Sequence, residues 1–385
     1  MNISTNTNKI TVNDNTISIY CNFWTIENNL FFYSEMKVYK CDFETKEKVL
    51  MYEEPNKRIL EVGLKNNEIC IVSFDEKKAE IVINVWDNNN YNISNVIPIQ
   101  GFESCSSCTF YEKYILITLN NINDYEELLI IDCMKNKYKF IKFFHYNFDI
   151  LEEKCMLIIN KYVETDEFAN KSLLIGISLN DLFKYEQVFY DIEDIIKTND
   201  KKFEIKSSTT TAYELVSCRN DLLFFWEYNY SGENNIKKRF VSYDLSEGRF
   251  KLIFPYEKQN NVCQKLYDNK ILFFTEKKVY FYTPIMSNVN CIYFVNAPFR
   301  IQNVGFINEN LLYIEKIRND EHVYCCTYDL ASNNEKIILD YSMNDYKEYS
   351  FNLIIDVIFE RLYFLVDCND TIEIFRYNIL NECLQ

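Results

Sequence analysis

The sequence predicts an all-β fold built from a repeated unit. Three observations carry this: a strand-forming composition, short apolar runs that recur at regular spacing, and turn residues between them. Aromatic residues make up 16% of the chain, with 30 Tyr and 30 Phe. Tyr, Phe, Ile and Val pack well on a pleated surface and favour strands. Gly and Pro are scarce at 6 and 5, where ordinary usage gives roughly 27 Gly for this length. Asn pairs recur in their place, among them Asn28-Asn29, Asn66-Asn67, Asn120-Asn121 and Asn333-Asn334. Asn tolerates positive φ and bonds its own backbone, so it replaces Gly in tight turns.

The repeat reads as a polar turn, an apolar run, a second turn, a second apolar run and often an outer strand. Its first copy is Leu30-Phe31-Phe32-Tyr33, then Lys37-Val38-Tyr39-Lys40-Cys41-Asp42, then Lys48-Val49-Leu50. Later first runs begin near Ile69, Ile115, Met156, Leu222, Ile271, Leu311 and Leu362, at a mean spacing of about 47 residues. An Asp closes several second runs, as Asp132, Asp244 and Asp329 do, which suits a turn after a strand. Shorter apolar segments precede several first runs, for example Ile59-Leu60-Glu61-Val62 and Ile301-Gln302-Asn303-Val304, and are read as innermost strands. The last copy offers three strands, near residues 351–359, 362–366 and 371–377, and residues 9–12 are placed to supply its fourth.

This pattern resembles a divergent β-propeller, and the resemblance covers nearly the whole chain. It implies a single propeller over residues 1–385, with about eight four-stranded blades around a channel, closed by an N-terminal strand. Seven blades is the alternative, because the copies near Met156 and Leu222 have the widest gap between them. A helix over residues 191–197 would fit within that gap, with Ile192, Ile195 and Ile196 on one face. Trp86-Asp87 matches the dipeptide of WD repeats, but it occurs once and without a Gly-His partner. Kelch-type Gly pairs are absent, so no named propeller family and no functional residues follow.

The net charge of −16 and pI near 4.8 argue against nucleic acid and anionic membranes as partners. The densest basic run is Lys237-Lys238-Arg239. No stretch of 18 apolar residues occurs and residues 1–15 lack an apolar signal core, which points to a cytoplasmic setting with the 14 Cys as free thiols.

Site chemistry is sparse. The two His, His145 and His322, are too few for a His-based zinc centre. Cys105-Ser106-Ser107-Cys108 has metal or redox spacing, but no second such pair exists. In a regular strand these two thiols would also face opposite ways. There is no Gly-rich phosphate loop, nucleophile elbow or calcium loop, and no cofactor is expected. The reading that follows is a non-catalytic module binding a protein or peptide at a propeller rim or channel mouth. Its alternatives are a lyase or hydrolase with its site in the channel, with Glu61, Glu214, Gln264 and Gln302 as channel candidates, or a carbohydrate-binding propeller.

Overall fold

The computed structural model describes residues 2–3, 7–13, 22–26, 29–33, 36–42, 45, 47–65, 68–87, 90–99, 101–111, 113–121, 126–143, 146–163, 171–184, 186, 188–191, 201–206, 211–230, 236–255, 262–267, 270–283, 289–319, 322–342, 351–356, 361–368 and 371–378. Before residue 29 and after residue 340 the description is of backbone alone. His145 and residues 192–200, which include residues 192–197 of the anticipated helix, lie outside it.

The fold is all-β and the strands form eight antiparallel meanders taken in chain order. Contacts gather the chain into two compact units, Met1–Ile59 with Asn261–Gln385, and Leu60–Asn260. In the first unit one sheet comprises Asn22–Ile26, Asn29–Tyr33, Lys37–Asp42 and Lys48–Glu53. A second comprises Cys263–Tyr267, Lys270–Phe274, Lys278–Tyr282 and Asn290–Phe294. A third runs Phe299–Phe306, Leu311–Arg318, His322–Asp329 and Glu335–Ser342, with Asn2–Ile3 added to its last strand. In the fourth, Phe351–Asp356, Arg361–Cys368 and Thr371–Asn378 are completed by Thr7–Asn13, antiparallel to the last of them. The anticipated N-terminal strand is therefore present and paired where the sequence put it.

The second unit holds the other four sheets. Lys57–Lys65, most of which belongs to this unit, pairs with Glu68–Asp75, followed by Glu80–Asp87 and Asn90–Pro98. Phe102–Tyr111, Tyr114–Asn121, Glu126–Asp132 and Lys137–Phe143 make the next sheet, and Phe189–Asp191 joins it in parallel as a fifth strand. Tyr146–Leu151, Met156–Val163, Lys171–Ser178 and Lys201–Lys206 follow. The last is Thr211–Arg219, Leu222–Tyr230, Ile236–Asp244 and Arg249–Phe254. The wide gap in the sequence is thus an excursion between the last two strands of one sheet. It passes through the short helix Leu179–Leu182, capped by Ser178, and lends a strand to the preceding sheet.

Apolar residues occur in continuous runs because the middle strands are covered on both faces. Ile115, Ile117, Leu129 and Ile131 pack with Cys70, Val72, Ile81 and Ile83 of the sheet before. Tyr114, Leu116, Leu128 and Ile130, from the same strands, pack with Leu157, Ile159, Ile175 and Ile177 of the sheet after. A strand buried on both sides needs no polar alternation. The same layering joins Leu174 and Ile205 to Leu223 and Phe225, and Leu272 and Val279 to Leu312 and Ile314.

Turn chemistry repeats with the sheets. At the end of a third strand, Asp132 Oδ1 accepts from the amides of Met134 and Lys135 at 3.1 and 3.0 Å. Asp244 does the same for Ser246 and Glu247 at 2.8 and 3.1 Å, and Asp329 for Ala331 and Ser332 at 2.8 and 2.7 Å. Asn56, Asn136, Asn220, Asn319 and Asn333 hold positive φ, the role that scarce Gly leaves open. Fourth strands share a further device. Register shifts opposite Val38/Tyr39, Phe240/Val241, Val279/Tyr280 and Cys325/Cys326 leave Met51, Ile253, Ile292 and Ile338 as the extra residues. A bulge bends an edge strand and sharpens its twist.

Candidate functional site

The four channel candidates lie on the first strands of four sheets, and the structure treats them differently. Glu61 lies on Lys57–Lys65, where its Oε1 accepts from the adjacent Val62 amide at 3.1 Å. Glu214 lies on Thr211–Arg219 and accepts from the Tyr228 hydroxyl. Gln264 lies on Cys263–Tyr267, opposite Phe273. Gln302 lies on Phe299–Phe306, at a register shift between Ile301 and Asn303 that makes it the extra residue of a bulge. Of these four, Gln302 alone lines a described cleft.

That cleft has a volume of 260 Å³ and is lined by Cys263, Phe274, Thr275, Glu276, Arg300, Ile301 and Gln302. Two consecutive sheets of the first unit build it. The Thr275 hydroxyl accepts from the amides of Lys277 and Lys278 at 3.3 and 3.1 Å, which shapes the turn carrying Glu276. The Glu276 carbonyl accepts from the Ile301 amide at 2.7 Å, and Lys277 Nζ donates to the Phe299 carbonyl at 2.5 Å. These bonds pin the turn of one sheet to the first strand of the next. Ile301 is buried in the core while Arg300 and Gln302 on either side of it are exposed, the alternation expected of a strand. The cleft therefore offers a guanidinium, a side-chain amide, a carboxylate and an exposed thiol from Cys263. Sequence reading missed Cys263, Glu276 and Arg300, because the cleft comes from neighbouring sheets and not from any local motif.

Cys105 and Cys108 correct an expectation. A bulge between Cys105 and Ser107 takes one residue out of the alternation, so Cys105 opposes Leu119 and Cys108 opposes Ile117. Both thiols then face one core cluster, which also holds Cys70 and Cys133. Burial pushes the Cys108 thiol well up, with Glu61 and the neighbouring thiols adding to the effect. A buried, protonated thiol is a poor nucleophile and ligand. Among the described residues no group of three His, Cys, Asp or Glu is arranged to hold a metal, and eleven of the described cysteines, Cys105 and Cys108 among them, are free. His322 lies 3.8 Å from Asp340 through Nδ1.

The sequence also gave no signal for Asp149, on Tyr146–Leu151. Its Oδ1 accepts from the Tyr111 hydroxyl at 3.1 Å and from the Ile150 amide at 2.8 Å. Its Oδ2 accepts from the Cys218 amide at 2.9 Å and the Cys218 thiol at 3.4 Å. One carboxylate thus ties the first strands of three consecutive sheets.

The architecture is that of a β-propeller, and comparison with solved structures bears this out. The chain is similar to the β-propeller domain of the Trilobed protease from Pyrococcus furiosus, at 12% identity and TM-score 0.50, covering 84% of this chain and 96% of that one. It is similar to a prolyl endopeptidase at 9% identity and TM-score 0.51, and to prolyl oligopeptidase B from Galerina marginata at 10% and 0.51. It covers 55% and 56% of those two chains, and they cover 94% and 92% of it. At such identities the likeness is one of fold. The family described as 2'-5'-oligoadenylate synthetase 1, domain 2, C-terminus matches residues 189–291, well under half of the chain. No curated protein matches. The chain is a divergent β-propeller. The expectation of a non-catalytic binding module is corrected by these neighbours: the similar propellers occur in peptide hydrolases, which favours the hydrolase reading that the sequence put second. Among the described residues no helix is long and apolar enough to cross a membrane.

Proposed function

We propose that this chain serves peptide-bond hydrolysis and that the cleft of Cys263, Glu276, Arg300 and Gln302 meets the peptide. The observation that carries the reading is the placement of these four polar groups together on the first strands and turn of adjoining sheets. The fold likeness to propellers of peptide hydrolases supports it. Arg300 suits a peptide carboxylate or a developing oxyanion, because a guanidinium presents paired donors. Gln302 both donates to and accepts from a peptide backbone. In the proposed reaction the Cys263 thiol passes its proton to the Glu276 carboxylate and attacks the carbonyl carbon. The C–N bond then breaks, the leaving amine takes that proton, and water releases the acid.

The eight meanders are read as the blades of one eight-bladed propeller spanning residues 1–385. The pairing of Thr7–Asn13 with Thr371–Asn378 supports closure through a blade shared by both termini. The free cysteines support a reducing, cytoplasmic setting.

The test is turnover of a fluorogenic peptide library by the purified chain. Cleavage is expected, with Cys263→Ala abolishing it and Arg300→Ala raising KM several-fold. No turnover of any peptide, or turnover untouched by both substitutions, overturns the reading.

A further inference from the structure

The cleft of Cys263 and Arg300 continues as a groove between two first strands. In Cys263–Tyr267 alternate side chains share a face, so Cys263, Lys265 and Tyr267 point one way and Gln264 the other. That face looks onto Phe299–Phe306. At one end Cys263 lines the cleft together with Ile301 and Gln302. At the other, the Tyr267 ring stacks on Phe306 with centroids 5.3 Å apart. The two strands therefore run side by side in one direction. Cys263 to Tyr267 is a step of four residues and Ile301 to Phe306 a step of five, the difference being the bulge residue Gln302. Lys265 falls midway along the groove, level with Val304, and is exposed. Among the described residues no ion pair or hydrogen bond engages its ammonium.

Two residues of extended chain span about 6.7 Å. An extended peptide lying in the groove with one residue at Cys263 therefore brings the side chain two residues further on to Lys265. We propose that the cleft selects an extended peptide with an acidic side chain, Asp or Glu, at that position, and that Lys265 is the residue that reads it. The inference rests on the cleft meeting a peptide and names which peptides. The charges along the groove favour an acid there. Lys265 and Arg300 are exposed cations on its two strands. Glu276, the carboxylate of the cleft, lies beyond Phe274, the partner of Cys263, whereas Lys265 pairs with Leu272 on the opposite side of that partner. The groove is thus acidic at one end and basic at the other. The net charge of −16 opposes an acidic ligand only weakly at this range, because charges farther than about 8 Å are screened at physiological salt. A local pair then decides between ligands, as charge complementarity does at interfaces.

The probe is a set of fluorescein-labelled alanine hexapeptides with one Asp walked through every position, beside a matching Asn set. Each is titrated with the full-length Cys263→Ala protein, which keeps the peptide whole, and followed by fluorescence anisotropy. Asp at one position is expected to bind at least tenfold tighter than Asn there. Adding Lys265→Gln should bring the two within twofold, and adding Lys265→Glu should reverse the order in favour of a Lys peptide at the same position. Lys251→Glu, the same change of charge at another exposed strand position, should leave the preference intact. Absence of saturable binding, equal binding of the Asp and Asn sets, or a preference that survives Lys265→Glu overturns the inference. Turnover of peptides by the parent chain without an acid preference in binding overturns this inference alone. An acid preference without turnover sustains it and overturns the hydrolytic reading instead.

Discussion

The Asp149 carboxylate accepts from the Cys218 amide at 2.9 Å across two neighbouring sheets. Its other oxygen accepts from the Tyr111 hydroxyl of a third at 3.1 Å. Asp149→Ala leaves the Cys218 amide and the Tyr111 hydroxyl without this acceptor. Removing a charged acceptor from such groups costs about 2–3 kcal/mol, so a clear fall in Tm is expected. Asp149→Asn keeps an oxygen for one donor and should fall between. The Cys218 thiol is pushed up first by burial and then by Asp149. Replacing the acid should therefore bring its titration down, measured as faster alkylation at alkaline pH.

Glu315 sits buried on Leu311–Arg318, and burial raises its carboxyl from 4.5 to about 7. A folded pKa above the unfolded one means that the native state holds its proton more tightly. Stability from this group is full below about 4.5, falls as pH rises through about 7, and is flat above. Glu315→Gln should remove that slope. Above pH 8 it should be more stable than the parent by up to about 3 kcal/mol. Denaturant melts at a series of pH values check this, and parallel slopes for both proteins would refute it.

Thr7–Asn13 is paired along its whole length, from Thr7 opposite Tyr377 to Asn13 opposite Thr371. Deleting residues 1–13 removes several ladder hydrogen bonds, each worth about 1 kcal/mol net, and bares the edge of Thr371–Asn378. Against a total of about 5–15 kcal/mol, Tm should drop markedly and aggregation should rise. Deleting residues 1–5 spares this strand and removes only the two-residue pairing of Asn2–Ile3, so the fall in Tm should be much smaller. Scattering and thermal melts of the two truncations distinguish the cases.

Gly305 stands opposite Tyr313 in the sheet, and a Cβ there would lie 2.3 Å from the tyrosine ring. Gly305→Ala forces the ring or the strand to move, at about 1–3 kcal/mol by analogy with overpacked cores. The paired change with Tyr313→Leu should recover part of that loss. A Gly305→Ala protein as stable as the parent would show that the ring shifts freely.

The sequence by itself determined the strands, their repeat and the terminal pairing. Those follow from local properties: β-branched and aromatic runs, Asp and Asn at turns, and apolar stretches long enough to be covered on both faces. The tertiary structure alone decided which side chains meet. Glu61, Glu214, Gln264 and Gln302 were legible as first-strand residues, yet only Gln302 reaches the cleft, because Glu276 arrives beside it on the turn of the neighbouring sheet. The same physics reversed Cys105 and Cys108: one extra residue in a strand moves everything after it to the other face. Bulges and contacts between sheets depend on partners distant in the chain, so no local spacing announces them.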